Sequence, residues 1–389
     1  MADQSAAPPT SRILGAICIA VVFSLLVAGL WPFNFFSGND VHWMKDENGL
    51  RFGKQPATVY SSGYFQKQEP AASAFCSIEI WLQPARTYVH SSVTVLAFYD
   101  PAGTMQFRLV QYRDDLFVRR DYKNRQGPPD APEIDITHAF HNNQQTFITI
   151  TSDAKSTSFY VNGAFVDLSR HFGFTCEDLS GQLVIGNSPA FYDPWHGKLL
   201  GLAFYGQHLT SAQVSRHYQT WFRNTEAKAF EDDHPLALYL LAERSGNIAR
   251  NSAGFGPDLY IPERFRILDK RILIAPWDEF QFHYAYAADV LINVVGFVPF
   301  GCFFCVYLKN RWPSDRIVLL VTLAGGIISL TIEILQGFIP SRSSGVTDII
   351  TNTLGTLFGA ILARGTSFEV WATRVLRSLK DSIQSLSKV

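Results

Sequence analysis

Apolar residues run almost unbroken in four stretches of the chain, and between the first two the pattern changes to short runs that alternate with polar positions. The first stretch, Ile13–Leu30, is 18 residues long and carries no charge. Continued through Trp31, Pro32 and Phe33 it reaches about 30 Å at ~1.5 Å per residue, enough to span a bilayer. A cleaved signal peptide would show small residues after a shorter apolar core. Here aromatic residues follow, as in an interfacial belt, so the pattern predicts a retained helix over 13–34. The other stretches cover about 287–308, 317–339 and 347–363. The last is short and needs tilt or local thinning to span.

The intervening residues 38–277 read differently. "SVTVLAFYD", "MQFRLVQYR", "QTFITITSD", "STSFYVNG", "GQLVIGN" and "GKLLGLAFYG" are short runs rich in β-formers, separated by turn residues such as Asn162-Gly163. Many short strands without a long helical period predict an all-β sandwich. Asn-Gly supplies the positive φ angles of a tight hairpin turn. The fold class expected is therefore a multidomain membrane protein: four transmembrane helices with an all-β jelly-roll sandwich inserted between helices 1 and 2.

Charge sets the orientation. Arg12 precedes the first stretch, Lys309, Arg311 and Arg316 lie between the second and third, and Arg364, Arg374, Arg377, Lys380 and Lys388 follow the fourth. Cytoplasmic segments hold such residues. Residues 1–12 and the C-terminus are then cytoplasmic, residues about 35–286 extracytoplasmic, and the membrane the inner one. Arg342, in the loop Pro340–Val346, is an exception. After Gly365, Thr366 and Glu369 fit a capping box. Phe368, Trp371, Val375, Leu379, Ile383 and Leu386 follow at helical spacing, which predicts an amphipathic helix over 366–389, on the membrane or on a partner. The formal net charge of -1 gives no basic excess, so nucleic acid is not an expected partner. Cys76 and Cys176 are the cysteines outside the apolar stretches, and an exported domain would permit a bridge between them. Cys302 and Cys305 read as buried apolar residues.

Polar residues inside the apolar stretches form a pattern. Asp289-x3-Asn293-x2-Gly296 is matched by Asp348-x3-Asn352-x2-Gly355. Offsets of 0, 4 and 7 share one helix face, and glycine there permits close helix approach. The match suggests a duplication, although helix-start chemistry alone would favour both aspartates. Glu333 and Gln336 add a second polar face, with Glu333 about six residues inside the stretch, roughly 9 Å deep. A carboxylate at that depth needs a partner; by default it marks a functional site, with structural glue between the helices as the alternative. Glu333 is expected to accept hydrogen bonds or to pair with Arg342, with Asn293, Gln336 and Asn352 orienting a ligand and Ser341, Ser343 and Ser344 able to hydrogen-bond nearby.

These residues resemble the VanZ-like family: Asp289-x3-Asn293 with Phe297-x-Pro299-x-Gly301, then Glu333-x2-Gln336, Arg342, and Asp348-x3-Asn352-x2-Gly355-x3-Gly359. The resemblance covers residues 287–363 and the first stretch. It implies a small integral membrane protein; the family is named for a member linked to teicoplanin resistance. The large insert departs from that pattern, so resistance is not carried over. Within the insert, Tyr160-Val161-Asn162-Gly163, Leu183-Val184-Ile185-Gly186, Trp195-His196-Gly197-Lys198, Leu209-Thr210 and Phe75–Pro84 resemble the concanavalin A-like, laminin G-type sandwiches. That family binds glycans, proteins or calcium. No acidic spacing identifies a calcium site here, so calcium is an open cofactor. His234–Ser252 resembles a strand that opens such domains and would complete the sandwich from the far end of the chain.

The functional expectation is a membrane-anchored protein whose sandwich recognises a surface glycan or glycolipid in the cell envelope. Tyr192 and Trp195, in the loop "SPAFYDPWHG" with Phe191, are the candidate stacking residues, although Trp195 also fits core packing. Membrane lipid and a second copy of the chain are further partners. The alternatives are an enzyme on a lipid-linked substrate with Glu333 or Asp348 as general base, and a structural adhesion module on a helical anchor. Neither a nucleophile–base pair nor a metal set lies near those carboxylates, so catalysis is the weaker alternative.

Overall fold

A computed structural model describes residues 9–66, 75–85, 91–100, 104–120, 133–141, 143–153, 155–223, 227–254, 256–280, 284–309 and 314–365. The helix expected over 366–389 lies outside the described residues. The chain divides into two compact units: the sandwich, residues 36–270, and a helical unit drawn from the residues on either side of it.

The helical unit begins with α1 (Pro9–Leu30). In chain order the sandwich elements follow. They are β1 (Val41–Trp43), β2 (Leu50–Phe52), β3 (Val59–Ser61), β4 (Cys76–Pro84), β5 (Val93–Asp100), β6 (Thr104–Tyr112), β7 (Asp115–Arg120), β8 (Glu133–Ile136), β9 (Thr146–Ser152), β10 (Thr157–Val161), β11 (Ala164–Ser169), β12 (Gln182–Ile185) and β13 (Gly197–Tyr205). Then come α2 (Ser211–Phe222), a 3-10 turn (Ala227–Asp233), β14 (Pro235–Tyr239), β15 (Ile248–Ala249) and β16 (Leu259–Tyr260). The helical unit resumes with α3 (Pro276–Glu279), α4 (Tyr284–Leu308), α5 (Ser314–Gln336) and α6 (Val346–Arg364).

The strands form two antiparallel sheets of eight. The first runs β1-β2-β13-β4-β9-β10-β11, with β14 also on β13; the second runs β15-β16-β3-β12-β5-β6-β7-β8. Alternation along β4 sends Cys76, Ile78, Ile80 and Leu82 into the core between the sheets, where they meet Phe98, Phe107, Leu183 and Phe204. Ser77, Glu79 and Gln83 face outward, yet they are buried too. α2 and the 3-10 turn cover that side, packing Val214, Trp221 and Phe230 on Phe147, Tyr160 and Tyr205. Thr210 starts α2 with a capping box to Gln213.

The Asn162-Gly163 hairpin is present, with φ 51° and 78°. The late segment does complete the sandwich: β14 pairs with β13, and β15 and β16 extend the second sheet. Cys76 and Cys176 form a disulfide, closing a loop of 100 residues. Such a crosslink typically stabilises by about 2–4 kcal/mol, chiefly by restricting the unfolded chain. Cys302 and Cys305 are buried free thiols.

In the helical unit α4 and α6 touch through small residues. A Cβ on Gly355 or Gly359 would land on the carbonyl oxygens of Val294 and Val298, and one on Gly301 on that of Thr356. That glycine seam lets the backbones meet. Gly296 is not part of it, since a Cβ there would meet nothing within 4 Å. The two D-x3-N-x2-G motifs are therefore not equivalent in packing. Residues 271–277, expected at the end of the sandwich, belong to the helical unit: Ile274 and Gly345 form a bridge, and Leu273 N–H donates to Ser344 Oγ at 3.1 Å.

Candidate functional site

Helix α5 ends at Gln336, three residues short of the expected Ile339, and turns follow. Glu333 thus sits in the last turn of α5, about 4.5 Å from its end rather than 9 Å. Its side chain is 2% exposed. Glu333 Oε2 accepts the N–H of Gly345, the N-cap residue of α6, at 2.8 Å. Asp348, in the first turn of α6, accepts from Asn293 Nδ2 at 2.7 Å. Glu279, in α3, accepts the N–H of Thr347 at 3.4 Å. Three carboxyl groups thus gather around the N-terminus of α6, whose free N–H groups and dipole favour negative charge. Asn352 lies one turn deeper and donates to Ser329 Oγ of α5 at 2.9 Å.

Arg342 does not pair with Glu333. Its guanidinium donates to the carbonyls of Ala28 and Trp31, at 2.9 and 3.0 Å. Gln336 Nε2 donates to the Gly29 carbonyl at 2.8 Å. The last carbonyls of α1 lack helical partners, and a cation there also suits the dipole. Asp289 is exposed, one turn above Asn293, and lies within electrostatic reach of Asp348. The expected cluster is therefore two groups: Glu333, Asp348, Asn293 and Asn352 around the start of α6, and Gln336 and Arg342 on the end of α1. Glu279 and Ser329 join them and were not expected from sequence.

This geometry predicts a specific mutational contrast. Glu333→Gln keeps an acceptor for the Gly345 N–H and should leave helical assembly intact. Glu333→Ala leaves that buried donor unpaired and should cost about 1–3 kcal/mol. Thermal unfolding of the purified membrane protein checks it; equal stability of the two variants would contradict the capping role.

In the sandwich, the loop 187–194 is braced from within. Asp193 accepts from Ser188 N–H at 2.7 Å and from Thr94 Oγ1 at 2.6 Å. Asn187 donates to the Phe191 carbonyl at 2.9 Å and accepts from Asp193 N–H at 3.1 Å. Burial pushes the Asp193 carboxyl up to about 6, against the pull of its hydrogen bonds to Thr94 and Ser188. The braced loop holds out Phe191, 59% exposed, and Tyr192, 38% exposed. Tyr192 rests edge-on against Phe265, ring centres 6.0 Å apart. Trp195 is different. It is fully buried, against Phe52, with its N–H on Gln111 Oε1 at 2.9 Å. Two residues before β13, its ring lies in the core, so it has no free face for a ligand.

Residues 210–369 match the VanZ/LLP1 family, and residues 60–215 match the concanavalin A-like lectin/glucanases superfamily. The chain carries a VanZ-like region and a concanavalin A-like region. The VanZ-like match is wider than the 287–363 expected and begins at the N-cap of α2. No curated relative matches. Among solved structures, the botulinum neurotoxin serotype D binding domain aligns at 12% identity and TM-score 0.35, covering 47% of this chain and 45% of that one. The type G receptor-binding domain aligns at 13% and 0.34, with the same coverage. A candidate carbohydrate-binding protein from Bacteroides ovatus aligns at 15% and 0.35, covering 55% and 62%. These likenesses bear on neither the site nor its ligand. Among the described residues, four helices, within Arg12–Leu30, Tyr284–Leu308, Arg316–Gln336 and Val346–Arg364, are long and apolar enough to cross a membrane.

The sandwich unit also holds a polar group that sequence reasoning missed. Glu79 and His217 are fully buried and Asp233 nearly so. His217 Nδ1 meets Glu79 Oε1 at 2.8 Å, and Nε2 meets Asp233 Oδ2 at 2.7 Å. Tyr205 O–H and Trp221 N–H donate to Glu79 Oε2 at 3.0 and 3.1 Å. Gln213 and Arg216 donate to Asp233. Burial would lower the His217 value, but its hydrogen bonds to Glu79 and Asp233 raise it overall. The signal was present: Val214, His217 and Trp221 share one face of α2 at offsets 0, 3 and 7, and Glu79 interrupts an apolar strand. A second group, Asp114, Asp115 and His138, brings one ligand atom from each within 4.8 Å. His138 is exposed and the two aspartates are half-buried, and their own hydrogen bonds account for the group: His138 Nδ1 to Asp114 at 2.6 Å, and His138 N–H to Asp115 at 2.8 Å.

Proposed function

We propose that this is an integral membrane protein whose sandwich, inserted between the first and second of four spanning helices, recognises a carbohydrate or glycolipid at the outer face of the cell-envelope membrane. The observation that carries the reading is the braced loop 187–194. Its hydrogen bonds fix Phe191 and Tyr192 in place before any ligand arrives, so little ordering entropy opposes binding. Aromatic side chains of this kind give broad contact at low entropic cost, and the tyrosine adds a polar tip. Trp195 acts beneath the loop as core. The Cys76–Cys176 disulfide supports an oxidising compartment for the sandwich. Lysine and arginine flanking the spans support cytoplasmic termini.

The helices serve as base and anchor in this reading. Glu333, Arg342, Gln336 and Asn352 each bond a helix end or a neighbouring helix, which favours assembly over catalysis on a lipid-linked substrate.

The test uses the full chain in lipid nanodiscs on an array of cell-wall glycans and envelope glycolipids, with and without calcium. Saturable binding is expected. The double variant Phe191→Ala and Tyr192→Ala should weaken it at least tenfold, about 1.4 kcal/mol, without changing the melting temperature. A folded wild-type protein that binds nothing on the array would end the reading.

A further inference from the structure

A second aromatic site lies on the outer face of the second sheet. Alternation puts Val59, Ser61 and Leu259 inward and turns Tyr60 and Tyr260 outward. The two tyrosines are directly opposite in the β16–β3 register. Their rings are 5.5 Å apart and tilted by 55°, and both are half-buried. The row continues inward through Val184 to Ala97 and Arg108. Val184 and Ala97 are buried, so the accessible part of this row is the aromatic pair itself.

The chain after β16 ties this pair to the loop 187–194. Phe265 packs on Tyr192, and the Asp269 N–H donates to the Pro189 carbonyl at 2.8 Å. Arg266, exposed, lies within electrostatic reach of the Tyr60 hydroxyl. Asp269 is hydrogen-bonded to the Tyr99 hydroxyl, and Tyr99 is the neighbour of Gln182 in the register. A carboxylate has about four acceptor positions, so one tyrosine does not exhaust it. Two aromatic surfaces are therefore joined by one segment carrying a guanidinium and a carboxylate. Aromatic faces with a few convergent polar groups are what an amphipathic ring with hydroxyls at its rim requires.

We infer that this face takes an extended oligosaccharide, with one pyranose ring against Phe191 and Tyr192, another against Tyr60 and Tyr260, and Arg266 and Asp269 meeting hydroxyl groups on the way. The inference rests on the carbohydrate reading above and adds the length of the ligand and its second contact. Two linked contacts make the second binding event intramolecular, so affinity must rise with chain length once both are reached.

The experiment measures binding to full-length protein in nanodiscs with two defined series, β-1,4-linked N-acetylglucosamine and β-1,4-linked glucose, each from two to six units, together with graded lengths of whichever glycan the array identifies. The expected result is a rise of at least tenfold from the shortest to the longest binder. The double variant Tyr60→Leu and Tyr260→Leu should abolish that rise while leaving the short oligomer unchanged. Tyr60→Phe with Tyr260→Phe, which keeps both rings, should retain most of it. A length-independent affinity, or a length gain that survives loss of both rings in a variant with the wild-type melting temperature, overturns the second site and leaves the carbohydrate reading standing. Binding to no saccharide by folded protein overturns both.

Discussion

His217→Ala is expected to destabilise the sandwich by about 3–5 kcal/mol, because it leaves two buried carboxylates without the cation between them. Glu79 keeps Tyr205 and Trp221 as donors, and Asp233 keeps Gln213 and Arg216. Neither arrangement replaces the shared imidazolium, and the cavity left under α2 adds to the cost. Urea unfolding followed by tryptophan fluorescence reads it directly, since Trp195 and Trp221 are buried in this unit. A loss below about 1 kcal/mol would mean that the group is only a by-product of packing.

The same group sets a pH window. The His217 value is raised in the folded protein, so its contribution is complete below the ordinary value near 6.5 and is lost as pH climbs through the folded value. Asp233 runs the other way. Burial opposes its ionisation, but hydrogen bonds from His217, Gln213 and Arg216 hold it down to about 2. Its contribution is present above the ordinary value near 3.9 and is lost as pH falls toward 2. The brace is therefore strongest between those limits, and His217→Ala should remove the alkaline limb of the profile.

Gly359→Ala is expected to break the helical unit, while Gly296→Ala should be tolerated. At Gly359 the new methyl group meets the carbonyl oxygen of Val298 and the N–H of Cys302, both backbone. No rotamer change relieves a backbone contact, so α4 and α6 must separate along their whole seam. Overpacking usually costs about 1–3 kcal/mol, and a seam that closes through Gly301, Gly355 and Gly359 together should exceed it. At Gly296 nothing stands in the way, and alanine should add about 0.5–1 kcal/mol of helix stability. Thermal unfolding and protease resistance of the purified variants separate the two. Equal behaviour would refute the glycine seam.

The four apolar helices and most sandwich strands were readable because each rests on a short-range period. Four long apolar runs need no partner to be recognised, and alternation with Asn-Gly turns identifies strands one at a time. The Asn293 and Asp348 pairing was half legible: both residues were singled out, but their joining across α4 and α6 needed the register of two helices. Glu333 was identified for the right reason, a buried carboxylate in an apolar helix that must either accept hydrogen bonds or pair with Arg342, and it accepts the Gly345 N–H. Its distance to Arg342 is nine residues in sequence, yet a turn after Gln336 sends Arg342 to α1, more than 300 residues away. Trp195 was open to two readings, stacking residue or core, and the structure places it in the core. Its neighbours Phe191 and Tyr192 are exposed, and only the turn before β13 sends its ring inward.

What the sequence determined by itself is the alphabet of elements: which segments are long and apolar, which alternate, where chains turn, and where charge would be costly. These follow from hydrophobic periodicity and from the backbone preferences of glycine, asparagine and proline, which act within a few residues. What only the tertiary structure decided is which partner each polar group found. Glu79, His217 and Asp233 come from a strand, a helix and a 3-10 turn. Tyr60 meets Tyr260 across 200 residues of chain. A buried polar atom must be satisfied, but sequence says only that it must. The partner is whichever group the fold brings within about 3 Å, and long-range packing sets that distance.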